Sequence, residues 1–177
     1  MSPIGHTAIA LASKRFAPDV SLGVLILAAN LQDILATVFG FAGIEGTIRM
    51  GNPWSHGLFM NLCWPVLAGL LALLCYRSCR AALVVASVVF SHWILDLITH
   101  PIPITSFSFR TWRWDYGHPL PSDITVFFSG SPRVGFGLYN SMSALQATVL
   151  EVAMFLGSLV VYFLWRQQKK VQAAGAG

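Results

Sequence analysis

The sequence predicts an all-α protein: a polytopic membrane helix bundle with about four transmembrane helices, a short N-terminal helix and a long aromatic loop. Three observations predict it. Apolar residues make up 55% of the 177-residue chain, and the mean hydropathy is +0.66. Only 10% of residues are charged, against about 25% in an ordinary soluble domain. The apolar residues are also gathered into runs, with most of the basic residues beside them.

Taken in order, residues 4–16 read as a short apolar helix ending at Lys14, Arg15 and Pro18. Residues 20–44 read as one continuous span, because 25 residues at about 1.5 Å each exceed the roughly 30 Å hydrocarbon core. The turn "EGTIRMGNP" follows. Residues 54–76 and 81–100 read as two further spans, joined through "RSCR" as a tight antiparallel hairpin. Residues 101–140 are polar and aromatic, rich in Pro and Gly, and too long for a bare connector. They are expected to form an extramembrane loop, with Trp112, Trp114 and Tyr116 as an interfacial belt and partial lid. Residues 142–165 make the last span. The expected organisation is a single membrane-embedded helical domain over 1–170 and a flexible tail over 171–177.

The net charge of +4 comes from only 11 basic residues. Their placement suits topology and anionic headgroups better than nucleic acid, so the bilayer is the expected partner and nucleic acid is not. Cys63, Cys75 and Cys79 form no CxxC pair and read as small hydrophobes rather than a disulfide or zinc knot. No cleavable signal peptide is evident at the start. Placing Lys14, Arg15, Arg77, Arg80, Arg166, Lys169 and Lys170 on one side collects seven of the eleven basic residues. That side should be cytoplasmic, leaving the N-terminus and the long loop outside.

In that frame the ionisable residues fall at similar depth. His6 starts the first helix, Asp33 lies in the outer half of the second and His56 begins the third. His92, Asp96 and His100 occupy the outer end of the fourth, and Glu151 lies two to three turns into the fifth. "SHWILDLITHPIP", residues 91–103, is the strongest signal. Side chains four apart on a helix drift by only about 40° per step, so His92, Asp96 and His100 share a stripe. Imidazole and carboxylate are ligands for zinc and for mixed sites with manganese or iron. The competing structural reading is a cap histidine and a helix-end aspartate bonding to neighbours, although an aspartate in lipid is costly without a strong partner. For Asp33 and Glu151 the alternative is polar glue between helices. His118 reads as a surface residue.

These residues also carry a resemblance. "GHTAIA", "NLQDIL", "PWSHGL" and "SHWILDLITHP" occur in the order and spacing of the bacterial membrane-bound, metal-dependent hydrolase family, the inner-membrane type induced by DNA damage. Gly5-His6 resembles the family's opening Gly-His. Asp33 matches the first Asp of a Pro-Asp-x-Asp-His stretch, and His56 the final His of a His-Arg-Gly-x-Thr-His stretch. Ser91, His92, Asp96 and Thr99 match Ser-His-x-x-x-Asp-x-x-Thr. Leu35, Ala36 and Gly51 stand where the family has further ligands, while His100 is gained. The resemblance covers residues 1–105 and implies a metal site from His6, Asp33, His56, His92 and Asp96, with zinc the expected ion. The residues that remain suit a single ion.

The family is similar to zinc-dependent phospholipases C in its helical, His/Asp-rich layout. It therefore implies hydrolysis of an ester or phosphoester in the bacterial inner membrane; the charge-based topology turns the site outward, where a lipid or amphiphile is the expected substrate. Asp33 or Glu151 would serve as general base. His100 lies about 12 Å along the axis from His92, too far to share its ion on a straight helix. It is expected to orient substrate or a second carboxylate from the pocket rim. Neither a Gly-rich phosphate loop nor a GxSxG elbow occurs. The alternatives are a metal-ion or proton transporter, which would need polar groups reaching the cytoplasmic side, and a non-catalytic scaffold with a structural metal.

Overall fold

The computed structural model describes residues 2–44, 54–99, 102–103, 133–134 and 136–175. Among them the chain is all-helical apart from one two-residue pairing. Six α-helices occur in order: α1 (Pro3–Ser13), α2 (Leu22–Ala29), α3 (Leu31–Phe41), α4 (Leu58–Tyr76), α5 (Cys79–Thr99) and α6 (Ala144–Ala174). His100, His118 and the aromatic residues Trp112, Trp114 and Tyr116 lie outside the described residues.

Helix α1 starts at Pro3, whose fixed φ and missing N–H suit the first helical position. It stops where Lys14 turns its ammonium back to the Pro18 and Val20 carbonyls. Its buried face is Gly5, His6, Ala8, Ala10 and Leu11. Helix α2 is capped by Ser21, whose Oγ accepts from the Val24 amide at 3.2 Å.

The expected continuous span over 20–44 is instead broken. Helices α2 and α3 meet at Asn30 with a bend of 60°. Asn30 leaves the helical region (φ −109°, ψ 14°). Its side-chain amide donates to the Ile26 carbonyl at 2.9 Å and to Thr7 Oγ1 of α1 at 3.2 Å. A short amide that bonds the local backbone competes with the helical ladder, and a neighbouring helix here supplies its second partner. The apolar pattern alone carries no sign of this, since it continues through the break.

Helices α4 and α5 form the expected hairpin, joined only by Arg77 and Ser78. Arg77 takes the left-handed conformation (φ 50°) that ends α4, and Ser78 Oγ accepts from the Ala81 amide to start α5. The two helices approach closely at Gly69. A Cβ there would stand 3.1 Å from Ala86 Cβ and 3.3 Å from the Ala82 carbonyl oxygen. Small residues permit such contacts between helices in lipid. The core is small-residue and aliphatic throughout: Ala10, Ala17, Val20, Leu25, Ala28, Ala29, Ala72, Ala81, Val85, Val88 and Val89.

After α5, Ile102 pairs with Val134 and Pro103 with Arg133 in an antiparallel contact that joins the two ends of the long insertion. The Phe136 amide donates to the Leu97 carbonyl at 2.9 Å, and a short 3-10 helix, Leu138–Ser141, leads into α6. Ser143 and Gln146 form a capping box at its start. Helix α6 continues to Ala174, beyond the expected end at 165 and into the residues expected to form the tail. Glu151 is its buried residue.

Helices α5 and α6 are long and apolar enough to cross a membrane, and α2 with α3 makes a third such element if the bent pair is one span. The stretch Met60–Tyr76 of α4 is apolar but shorter. The surface agrees with lipid as the solvent of these helices. Leu62, Val66, Leu67, Leu70, Leu71 and Leu74 of α4 are exposed, as are Leu145, Val149, Leu156, Val160, Phe163 and Leu164 of α6. Exposed apolar rows of this extent are foreign to soluble monomers.

Candidate metal centre

Five side chains from four parts of the chain converge at one end of the bundle. His6 comes from the first turn of α1 and Asp33 from the first turn of α3, just past the break. His56 lies in the turn before α4, and His92 and Asp96 lie one turn apart on α5. His6, His92 and Asp96 are buried. The Asp33 and His56 side chains remain 38% and 19% exposed, so the centre opens on their side.

The reactive atoms face one another. His6 Nε2 lies 3.4 Å from Asp96 Oδ1, and His92 Nε2 lies 3.4 Å from Asp96 Oδ2 and 3.6 Å from Asp33 Oδ1. His56 Nε2 lies 3.5 Å from Asp33 Oδ1 and 3.8 Å from Asp96 Oδ2. The His6 and His92 rings stack with centroids 3.7 Å apart and planes 10° from parallel. The His56 ring meets that of His92 edge-on at 5.3 Å.

These spacings decide between two readings. A charge-assisted N–H···O bond is about 2.7–2.9 Å long, shorter than any of the five contacts. Two ligands on a tetrahedral ion at about 2.1 Å stand roughly 3.4 Å apart. The contacts match the edges of a coordination polyhedron better than a hydrogen-bonded network. Stacked imidazoles would repel if both were protonated, whereas neutral imidazoles are ligands. His6 Nδ1, His6 Nε2 and His92 Nε2 are buried with no hydrogen-bond partner among the described residues. Such orphaned atoms are costly unless something fills the gap between them. His6, Asp33 and His92 form one group, and His56, His92 and Asp96 another, whose ligand atoms lie within 4.8 Å of one another. The cluster can hold a metal ion.

The backbone sets the tautomer of His92. Because α2 ends at Ala29, its carbonyl lies among those without an intrahelical partner, and His92 Nδ1 stands 2.8 Å from it. A carbonyl only accepts, so Nδ1 carries a proton, and in the neutral ring Nε2 keeps its lone pair for the centre. That is the usual arrangement behind a metal-bound histidine. His56 Nδ1 lies 2.8 Å from Ser55 Oγ, a hydroxyl that can donate or accept, so this contact orients the ring without setting its tautomer.

A second layer ties the ligand-bearing segments together. Gln32, beside Asp33, donates from Nε2 to Asn61 Oδ1 at 2.9 Å and to the Val89 carbonyl at 2.8 Å. Asn61 Nδ2 donates to the Gly57 and Ser55 carbonyls, which flank His56. Both amides are fully buried. The sequence reading missed Gln32, Asn61 and Asn30; their signal was a side-chain amide inside an apolar run, where a polar group needs a partner.

Glu151 falls outside the cluster. Its carboxylate accepts from the Ser2 amide at 2.9 Å, from the Ser2 hydroxyl, and from the Tyr139 hydroxyl at 2.8 Å. Partial burial and this bond to a carboxylate hold the Tyr139 phenol above its ordinary pKa. Cys75 and Cys79 are exposed and unpaired, at the α4–α5 turn.

Comparison of the chain with protein-family models, with curated proteins and with solved structures returned no match. The functional reading therefore rests on the site itself.

Proposed function

We propose that the chain is a membrane-bound, metal-dependent hydrolase acting on an ester or phosphoester of a lipid or amphiphile. The observation that carries this reading is the cluster of His6, Asp33, His56, His92 and Asp96, with buried nitrogen lone pairs facing two carboxylates at 3.4–3.8 Å. A divalent ion held there, zinc by its preference for this donor set, would supply Lewis acidity and lower the pKa of a water toward about 7.

The chain's own residues divide the remaining work. His6, His92 and Asp96 lie deepest and suit fixed ligation. Asp33 is the most exposed of the five and lies at the open side, where a carboxylate can take up a proton from the attacking water. Glu151 already accepts three hydrogen bonds, which leaves the base to Asp33. Helices α2–α3 and α4 serve as further spans beside α5 and α6, four in all. By the distribution of basic residues, the centre opens toward the extracytoplasmic leaflet of the bacterial inner membrane. A conducting pathway is disfavoured by the buried residues on the inner half of α5, which are Ala81, Val85, Val88 and Val89.

The test is elemental analysis and turnover on detergent-purified chain. Expected is one divalent ion per chain and metal-dependent hydrolysis of a phospholipid or a synthetic phosphodiester. Metal-free protein after purification in zinc-supplemented buffer would refute the metal reading. Stoichiometric metal without turnover on any ester would favour a structural ion.

A further inference from the structure

We propose that Glu151 is a positioning residue for the metal centre, a latch by which the last helix of the chain sets the register of His6 on the first. This rests on reading the five-residue cluster as a metal centre.

The latch is visible as a chain of hydrogen bonds. Glu151 is buried on a helix whose other described side chains are at least partly exposed, at the place where α6 meets the start of α1. Its carboxylate accepts from both the amide and the hydroxyl of Ser2. Ser2 is the N-cap of α1, and its carbonyl accepts from the Gly5 amide at 3.0 Å and the His6 amide at 3.4 Å. Glu151 is therefore linked through one residue, Ser2, and two hydrogen bonds to the backbone of His6.

Ser2 itself shows the diversion. Serine at this position ordinarily turns its hydroxyl oxygen to a first-turn amide. Here it makes no such cap; the hydroxyl donates to Glu151 instead. A carboxylate at the N-terminus of α1 also complements the helix dipole. Tyr139, donating to Glu151 Oε1 from the 3-10 helix, fixes the carboxylate from the other side.

The opposite flank of the same turn is held as well. Thr7 Oγ1 donates to the Pro3 carbonyl at 2.7 Å and accepts from Asn30 Nδ2 at 3.2 Å. Among the described residues neither ring nitrogen of His6 has a hydrogen-bond partner to orient the ring. Its placement beside Asp96 therefore depends on where the first turn of α1 sits, and Glu151 and Asn30 set that from two sides. Outer groups that orient ligands typically change metal affinity about 10–100-fold when removed.

The experiment is a double-mutant cycle on the full chain in detergent, reading zinc affinity by chelator competition and the ligand-field spectrum of the cobalt-substituted protein. Expected is that Glu151→Ala weakens zinc binding about tenfold or more and alters the cobalt spectrum in the same sense as His6→Ala. With His6 already replaced by alanine, Glu151→Ala should cost nothing further, because a residue acting through His6 has nothing left to act on. Glu151→Gln keeps one acceptor oxygen and should fall between. If Glu151→Ala does not yield folded protein, Glu151→Gln and Tyr139→Phe run the same cycle. Losses that add in full on the His6→Ala background, or an unchanged affinity in Glu151→Ala, would overturn the latch. Wild-type affinity in His6→Ala would instead overturn His6 as a ligand, and the latch with it.

Discussion

His92 on α5 and Ala29 at the end of α2, 63 residues apart in sequence, are joined by a 2.8 Å hydrogen bond from imidazole Nδ1 to the main-chain carbonyl. The carbonyl is available because α2 stops there, and in the neutral ring the proton it draws to Nδ1 leaves Nε2 bare beside Asp33 and Asp96. A helix break and a ligand tautomer are one feature.

Asp96 faces both His6 and His92, so its charge is the component of the cluster least replaceable by a neutral group. Asp96→Asn keeps the volume and loses the anionic ligand. We expect its metal content, measured by elemental analysis, to fall to background, while Cys75→Ser, at the exposed α4–α5 turn, retains it. Equal loss in both would mean that the protein unfolds rather than that a ligand is missing.

Asn61→Leu should separate two costs. It strips Gln32 of one buried partner and removes the side-chain amide that bonds the Ser55 and Gly57 carbonyls beside His56, at about 1–3 kcal/mol of stability. The double replacement Gln32→Leu with Asn61→Leu removes both ends of the bond and should recover part of that loss. Thermal unfolding in detergent reads the difference; a double variant less stable than Asn61→Leu by the full cost of Gln32→Leu would show that the amides do not act as a pair.

How much of this was legible in the sequence varies by residue, and for physical reasons. His92 and Asp96 share one helix face, so their proximity follows from helical spacing alone. His6 and His56 were visible as polar groups at the starts of apolar runs and Asp33 as a costly one within a run, but which atoms meet depends on packing between helices far apart in sequence. The bend at Asn30 was hidden, because its apolar flanks fit one span and the competing partner, Thr7, lies 23 residues away. Glu151 stood out as a carboxylate in lipid, yet its partner Ser2 is 149 residues distant, and no local pattern reaches that far.

Gly69 should tolerate little. A side chain there meets Ala86 Cβ and the Ala82 carbonyl inside van der Waals distance. Gly69→Leu forces α4 and α5 apart at an expected cost of about 1–3 kcal/mol. Gly157→Leu, at an open position on α6, serves as the control. Equal melting temperatures for the two variants would contradict the close approach.

Orientation can be read with an impermeant maleimide on intact cells, in a background lacking Cys63, Cys75 and Cys79. Asn140→Cys, exposed before α6, should label, and Gln168→Cys, beyond Arg166, should not. The reverse pattern would move the centre to the cytoplasmic leaflet.

The contact between α1 and α6 also bears on the order of biogenesis. The first turn of the chain is held by a residue of its last helix, and the ligands between them come from three further segments. During synthesis His6 emerges first and Glu151 after the other four ligands, so a nascent chain carries all five before the first turn can be fastened. Completion of the centre is thereby tied to the synthesis of α6. A chain truncated before α6 would retain all five ligand residues in its sequence and still lack the contact that fixes one of them.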